Sequence, residues 1–136
     1  MSKETQNEYM IMFRGTGWHK GLSLEEMQKV VGQMMAWAKD LTERGLTTGG
    51  RPLADEGKVV SGKNGRIVAD GPFAESKEAI GGYFLLSVNT IEEAVAIAKQ
   101  CPLLAYGVEV EVRQALEECP HCKAAFPEEE LAEEVA

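Results

Sequence analysis

The chain has 136 residues, of which 44% are apolar and 26% are charged, the composition of an ordinary soluble globular domain with one core. The net charge is −8 at pH 7, and residues 117–136 hold seven glutamates against one lysine. Phosphate would repel such an acidic segment, so nucleic acid and anionic membranes are disfavoured as partners. No apolar run approaches the ~20 residues of a membrane span, the first residues are polar, and the cysteine count of three is odd. We therefore expect a cytoplasmic protein.

The first two predicted elements are a strand and a long helix. The run EYMIMF at 8–13 is apolar on both faces of a pleat, which is typical of a central strand. The run SLEE then has the capping-box pattern, with Ser23 as N-cap and Glu26 three residues later, and Gly45 occupies a C-cap position. Between them, apolar residues recur at helical spacing, namely at Met27, Val30, Val31, Met34, Trp37, Ala38 and Leu41.

The next segment is rich in strand and turn signals. Residues 46–54 predict a weaker strand, which glycines and a proline make irregular or place at an edge. The runs KVVS and RIVAD flank GKNG at 62–65, and the Asn-Gly pair predicts a β-hairpin.

The last third repeats the strand-helix-strand order. YFLLSV at 83–88 is again apolar on both faces, whereas VEVEVR at 108–113 alternates, with its valines on one face. Asn89 and Thr90, followed by two glutamates, predict the start of a second helix, and Pro102 ends it. The apolar stripe of that helix consists of Ile91, Ala94, Val95, Ala98 and Cys101.

This order of elements predicts an α+β fold, a ferredoxin-like sandwich of βαββαβ type with an added β-hairpin. Both helices would cover one face of an antiparallel sheet, with the first and third core strands in its middle and the last strand at an edge. Those two middle strands are the ones that are apolar on both faces, so the second face needs another cover. A second copy of the chain would supply it, and we predict a homodimer with sheets packed face to face.

The run DGPF at 70–73 follows the hairpin. Pro72 has a fixed φ and disfavours helical angles at Gly71, so the chain must leave the strand by a sharp turn. Asp70 can accept hydrogen bonds from that turn, and Phe73 can anchor it. The residues of this run can therefore be explained by the turn alone, without a catalytic or ligand-binding role.

The sequence nevertheless resembles a known family over roughly residues 8–114. DGPFAESKEAIGGYFLLSV, followed by IEEAVAIAKQCP and VEVEVRQ, is similar to the YCII-related proteins of the DGPF subgroup. The resemblance implies a dimeric α+β barrel with a cleft beside the DGPF loop. Together with the uneven charge distribution, the resemblance predicts a YCII-related domain at 1–116 and an acidic, cysteine-containing tail at 117–136. Some DGPF-type proteins occur with extracytoplasmic-function sigma factors, which suggests a regulatory setting.

Family members of the YCII type have been proposed to use a His and Asp pair as acid and base. Asp70 lies in the matching motif, and His19, in GTGWHKGLS, is the candidate partner; the alternative is an exposed loop histidine. Further candidates flank strand ends near the turn and could bind a ligand or form surface ion pairs. This ligand-binding set consists of Arg14, Arg51, Gly71, Pro72, Phe73, Glu75, Lys77 and Tyr83.

The run CPHC at 119–122 lies in the acidic tail. As a redox motif it would have to open a helix after a strand, with further strands completing the sheet, and few residues follow it. As a zinc site, Cys119, Cys122 and His121 would provide at most three of four ligands, and another donor would have to come from elsewhere, such as the dimer mate. The default is a reduced thiol pair with no cofactor.

Two classes of function remain open at this level. The first is a dimeric small-molecule-binding protein, with Asp70 and His19 available for proton transfer as an enzyme. The second is a sensor or accessory module of a sigma-factor-linked pathway, or a structural dimer whose tail binds a metal or partner. A pocket that joins Asp70 and His19 would favour the enzyme.

Overall fold

The computed structural model describes residues 7–71 and 79–127, which have a mixed α+β architecture as predicted. These ranges contain six strands and three α-helices, with 3₁₀ turns at Lys63–Gly65 and Pro102–Tyr106. The elements are β1 (Asn7–Arg14), α1 (Leu24–Glu43), β2 (Thr47–Pro52), β3 (Lys58–Ser61), β4 (Ile67–Asp70), β5 (Ile80–Val88), α2 (Ile91–Ala98), β6 (Glu109–Ala115) and α3 (Pro120–Ala125). None of the helices in these two ranges is long and apolar enough to cross a membrane.

Four of the strands form one antiparallel sheet in the order β2-β5-β1-β6. The predicted central positions of the first strand and of YFLLSV are thus confirmed, as is the edge position of the alternating last strand. The strand predicted around 46–54 is the opposite edge, and its register shifts between Thr47 and Gly49, the irregularity that its glycines indicate.

Helix α1 begins and ends where the sequence predicts. Ser23 and Glu26 form both hydrogen bonds of the capping box. At the other end Gly45 has a φ of +74°, and the N–H groups of Gly45 and Leu46 donate to the carbonyls of Thr42 and Leu41. These two bonds are the Schellman arrangement, which requires a left-handed residue where glycine stands.

Helix α2 has the same kind of start. Thr90 accepts a hydrogen bond from the N–H of Glu93, and the Glu93 carboxylate accepts from the N–H of Thr90 in return. The predicted stripe is correct for Ala94 and Ala98, which are buried, but Ile91 is largely exposed because it lies at the first position of the helix.

The core lies between the sheet and the two long helices. Ile11 of β1, Leu86 of β5, and Val30 and Leu41 of α1 are fully buried. The inward side chains of β1 and the buried residues of α1 and α2 belong to one cluster, so both helices cover the same face, as predicted. Val31 was predicted in the stripe of α1, but it is 41% exposed and lines a cavity described below.

The opposite face of the sheet, called the open face from here on, is only partly buried. Met10, Met12, Tyr83 and Leu85 point to this face, because β1 pairs with β5 in the register Met10 with Leu85 and Met12 with Tyr83. The strands are therefore apolar on both faces, as the sequence indicates. The homodimer that would cover the open face stays a prediction.

The predicted hairpin is also confirmed, but it stands outside the main sheet. Strands β3 and β4 pair only with each other, through a loop in which Asn64 and Gly65 have φ values of +63° and +68°. Both residues occupy the left-handed region that an Asn-Gly pair tolerates. Every residue of the two strands is exposed, including four large apolar side chains, Val59, Val60, Ile67 and Val68.

Candidate functional site

An apolar cavity of about 440 Å³ lies between α1 and one end of the sheet. Side chains of α1 form one wall, the ends of β1, β2 and β5 form the other, and the loop after β1 closes one side. The lining residues are Phe13, Gly15, Trp18, Val31, Met34, Met35, Ala38, Gly50, Arg51, Pro52, Gly81, Gly82, Phe84 and Leu103. With one exception, Arg51, these residues carry no charge, so the cavity suits an apolar molecule.

Glycines form the sheet wall of the cavity. A Cβ on Gly50 would lie 2.0 Å from the carbonyl oxygen of Tyr83, and one on Gly82 would lie 3.0 Å from that of Arg51. Only glycine therefore permits β2 and β5 to approach this closely. The wall also lacks side chains at these positions, which leaves the space beside α1 open.

Several aromatic rings form part of the cavity wall or pack directly behind it. Phe13 and Phe84 both line it and meet edge to face at 5.3 Å between ring centroids, and each also contacts Trp37. The indole N–H of Trp37 is buried and has no hydrogen-bond partner within the described part of the chain. Trp18 forms the side wall and packs against the ring of Tyr106.

Arg51 lies at the rim between this cavity and a shallower cleft of about 320 Å³ along β2, since Gly50 and Arg51 line both. The register pairs Arg51 with Tyr83, which places both side chains on the open face. No residue in 7–71 or 79–127 forms a salt bridge with Arg51. Because its side chain is on the open face, the guanidinium of Arg51 lies away from α1, beside the shallower cleft, where it is suited to a carboxylate or another anion.

Arg14, another predicted ligand residue, lies at the end of β1 on the same open face. Its guanidinium forms an ion pair with Glu109 at 3.8 Å, across the β1–β6 ladder. The structure thus brings Arg14, Arg51 and Tyr83 to one face of one end of the sheet. Sequence reasoning expected them near each other, although it assigned no partner to Arg14.

The proposed acid-base pair is not joined in the described part of the chain. Asp70 ends β4 in the exposed hairpin and forms an ion pair with the ammonium of Lys58. His19 is exposed in the loop after β1, where its ring meets that of Trp18 at 5.6 Å. The histidine is therefore next to a residue of the cavity wall, and the aspartate is partnered within its own hairpin. A role for the two as acid and base stays a prediction.

Two residues of the DGPF run, Asp70 and Gly71, belong to the described part of the chain. Gly71 is buried, and its N–H donates to the carbonyl of Gly57 at 3.1 Å. Before β5, the carbonyl of Ala79 accepts a hydrogen bond from the N–H of Gly15, a cavity residue, at 2.8 Å. The other predicted ligand residues, Pro72, Phe73, Glu75 and Lys77, lie outside the described residues.

The CPHC run opens helix α3, which the sequence analysis did not predict. Cys119 is the N-cap, and its sulfur accepts a hydrogen bond from the N–H of Cys122 at 3.3 Å. Hydrogen bonding from the side chain of Cys122, with help from backbone groups, lowers the pKa of Cys119, while the same contact raises the pKa of Cys122. Burial raises the pKa of the third thiol, Cys101. Within 7–71 and 79–127 no group of three potential metal ligands occurs, so zinc at Cys119, Cys122 and His121 gains no support.

Sequence reasoning missed the cavity itself. Its signals were the facing glycine pairs at 49–50 and 81–82, and the methionines of α1, which are flexible gap-filling side chains. Each signal alone also fits a strand irregularity or an ordinary core. Their combination into one wall depends on the pairing of β2 with β5.

Comparison with known proteins shows the family to which the chain belongs. The model of the YCII-related domain matches residues 8–116 of the chain. No curated protein matches the sequence.

Proposed function

Because the chain belongs to the YCII-related family, we propose that it is a dimeric binding protein for a small molecule with an apolar body and one anionic end. The body would occupy the cavity between α1 and the sheet, and the anionic end would extend past the edge strand β2 to the guanidinium of Arg51 on the open face. The observation that carries the proposal is the cavity of about 440 Å³ with a single charged residue at its rim.

The cavity has the size and chemistry that ligand binding needs. A space of a few hundred Å³ accepts a molecule about as large as a small drug fragment, and apolar walls stabilise it by ~25 cal/mol per Å² of apolar surface buried. The orientation would come from the few polar groups at the rim. Arg51 is the strongest of these, because a guanidinium can donate two parallel hydrogen bonds to one carboxylate.

The same proposal includes a ferredoxin-like sandwich for each chain and a dimeric α+β barrel for the pair. The strand order β2-β5-β1-β6 with both long helices on one face supports a ferredoxin-like sandwich. The half-buried apolar side chains of the open face, Met10, Met12, Tyr83 and Leu85, support its pairing with a second copy into an α+β barrel. In such a dimer Arg51 and Tyr83 would lie near the interface, so the binding site would depend on the pairing.

The binding proposal can be tested with anilinonaphthalenesulfonate, a fluorescent probe with an apolar body and a sulfonate. We expect Ala38→Phe, which fills the cavity, to weaken probe binding at least about tenfold. The matched control is Ala36→Phe, because Ala36 is exposed on the same helix and does not line the cavity. Equal affinities of the two variants would contradict the proposal.

The role of Arg51 is tested with the same probe. We expect Arg51→Gln to weaken binding by about tenfold, or ~1.4 kcal/mol, through loss of a charge-assisted hydrogen bond. Arg66→Gln in the exposed hairpin loop removes the same charge away from the cavity and should leave the affinity unchanged. An unchanged affinity of Arg51→Gln would show that the anion contacts another group.

The dimer is tested by light scattering of the intact chain at micromolar concentration. We expect twice the mass of the chain, and Leu85→Glu on the open face should return the monomer mass while circular dichroism keeps its helical signal. A monomeric wild-type protein would refute the dimer.

A second candidate function is acid-base catalysis in the same cavity. The contact between His19 and Trp18 favours it, because it brings an ionisable ring to the cavity wall. A histidine that exchanges protons with a bound molecule must touch it, so His19→Ala should change the pH dependence of probe binding. If the two pH profiles coincide, the catalytic role of His19 is excluded, and a binding or sensing role is favoured.

A further inference from the structure

Two thiols lie together directly after the last strand of the sheet. Cys119 and Cys122 belong to the run CPHC, are partly exposed, and are not joined in a disulfide. The N–H of Cys122 donates to the sulfur of Cys119, which turns the first thiol toward the backbone of the second. The pair is thus a preformed local arrangement, and it is independent of the cavity described above.

The spacing of the two residues suits a disulfide between them. Side chains three residues apart on one helical turn have Cβ atoms ~5–6 Å apart, and a disulfide needs about 3.5–4.5 Å, so the two Cβ atoms must move closer together for the bond to form. Pro120 follows the first cysteine, has a fixed φ, and begins the helix that carries the second. Closing the bond therefore requires side-chain rotation and a small backbone adjustment, with no rearrangement of the sheet.

The two thiols also differ in pKa, as a pair that exchanges disulfides requires. Hydrogen bonding from Cys122 stabilises the Cys119 thiolate and lowers its pKa, so Cys119 is the better nucleophile near neutral pH. Cys122 keeps its proton to higher pH, which suits a second thiol that acts only after the first has reacted. Cys101 is buried in the core with a raised pKa and serves as an internal unreactive reference.

We propose that Cys119 and Cys122 form a redox-active dithiol that reduces disulfides. The Cys119 thiolate attacks one sulfur of the substrate disulfide, forms a mixed disulfide, and releases one thiolate, which takes up a proton. Cys122 then loses its proton and attacks the sulfur of Cys119, which releases the second thiol. Two cysteine thiols are oxidised to one disulfide, and one substrate disulfide is reduced to two thiols.

The charges around the pair favour a cationic substrate. Lys123 is paired with Glu118 at 2.8 Å, which leaves Glu117 without a compensating salt bridge in the described part of the tail. The sequence adds five further glutamates between residues 128 and 134. A segment with this net negative charge attracts a positively charged disulfide and repels an anionic one. We therefore expect cystamine, a dication, to react faster than glutathione disulfide, an anion.

The experiment uses the full-length, pre-reduced protein with each of these two disulfides, followed by mass spectrometry of the quenched protein. We expect a product lighter by two hydrogen atoms, with the new bond between Cys119 and Cys122 and with Cys101 still free. Added salt should bring the two rates closer together, because it screens the charges.

Two single variants separate the roles of the thiols. Cys122→Ser should stop at a stable mixed disulfide on Cys119, because no second thiol can release it. Cys119→Ser should react at least severalfold more slowly, since it lacks the thiol of lowered pKa that attacks first. Circular dichroism should be unchanged for both, as neither residue belongs to the core cluster.

Several results would overturn the proposal. One is a wild-type product that stays a mixed disulfide or links two chains, because the second step would then not occur within the pair. Another is an equal rate for Cys119→Ser and the wild type. Stoichiometric zinc in the freshly purified protein, released only when both thiols are modified, would assign the pair to metal binding. None of these results bears on probe binding in the cavity.

Discussion

The main sheet and the β3–β4 hairpin are built from similar residues but have opposite environments. In the main sheet Ile11 and Leu86 are fully buried beneath α1 and α2. In the hairpin Val60 and Val68 remain 63% and 62% exposed. Both regions have the β-branched and aliphatic residues of strands, so the strand-forming pattern is the same. The two regions differ in what packs on them. Helices α1 and α2 pack on the main sheet, whereas no element of the described ranges packs on the hairpin.

This comparison shows that strand propensity and burial are separate properties. A hairpin with an Asn-Gly loop can form from local signals, but an isolated two-stranded ribbon is marginal in water. Its exposed valines and isoleucine therefore contribute little to the stability of the single chain. They are available to an additional cover, for which the proposed second copy is the simplest source.

The largest expected effect comes from shortening a buried side chain of the main sheet, and the same kind of change in the hairpin serves as the comparison. Leu86→Ala should lower the free energy of unfolding by about 2–5 kcal/mol, because it removes buried contacts and leaves a cavity. Val60→Ala should change it by less than about 0.5 kcal/mol in dilute, monomeric protein. Chemical denaturation of both variants measures the difference. A cost of Val60→Ala comparable to that of Leu86→Ala would show that the hairpin is covered in solution.

The next prediction concerns a glycine at the junction of β2 and β5. Gly50→Ala should destabilise the protein by about 1–3 kcal/mol or more, because its Cβ would collide with the backbone carbonyl of Tyr83. The control is Gly32→Ala in α1, where a Cβ meets nothing within 4 Å. That change should instead stabilise the helix by about 0.5–1 kcal/mol. Thermal unfolding shifts of the same sign would contradict this account.

A smaller effect is expected at the start of the helix that covers β1 and β6. Thr90→Ala removes the hydrogen bond to the N–H of Glu93 and should cost about 1 kcal/mol. Thr90→Ser retains the acceptor and serves as the control. Since α2 is part of the cover, the loss should appear in global unfolding. If it appeared only as local fraying in hydrogen exchange, α2 would not be coupled to the sheet.

The smallest effect is expected in the hairpin. Lys58→Gln breaks the ion pair with Asp70, which is largely exposed, and should cost no more than about 1 kcal/mol. Asp70→Asn should have the same small effect if the carboxylate serves only its hairpin. A much larger effect of Asp70→Asn on probe binding than of Lys58→Gln would instead favour a role of Asp70 in the functional site.

Exposed and buried cysteines can be compared in the same way, through the pH dependence of their chemical modification. Because the pKa of Cys119 is lowered, its thiolate persists to lower pH than that of an ordinary cysteine. Alkylation by iodoacetamide should therefore stay fast as the pH falls below the usual cysteine range, and decline only through the lowered pKa. Cys101 should resist modification until the protein unfolds. Peptide mapping of the labelled protein distinguishes the two.

Much of the fold could be predicted from the sequence, because its signals are local. The capping boxes at Ser23 and Thr90, the terminal Gly45 and the Asn-Gly loop each depend on residues a few positions apart. The candidate site was predictable only in part. Arg14, Arg51 and Tyr83 were expected near one another, but nothing in their sequence positions indicated that Arg51 borders an apolar cavity or that Arg14 pairs with Glu109.

By itself, the sequence determined the family and the order of β1–β6 with α1 and α2, whereas helix α3, which carries Cys122, was found only in the structure. Only the tertiary structure decided which face of the sheet is covered, where the hairpin stands, and which distant side chains surround the cavity. The physical reason is that a cavity is the space left when separate elements pack. Its walls come from α1 and the ends of β1, β2 and β5, and their approach depends on contacts that no single segment contains.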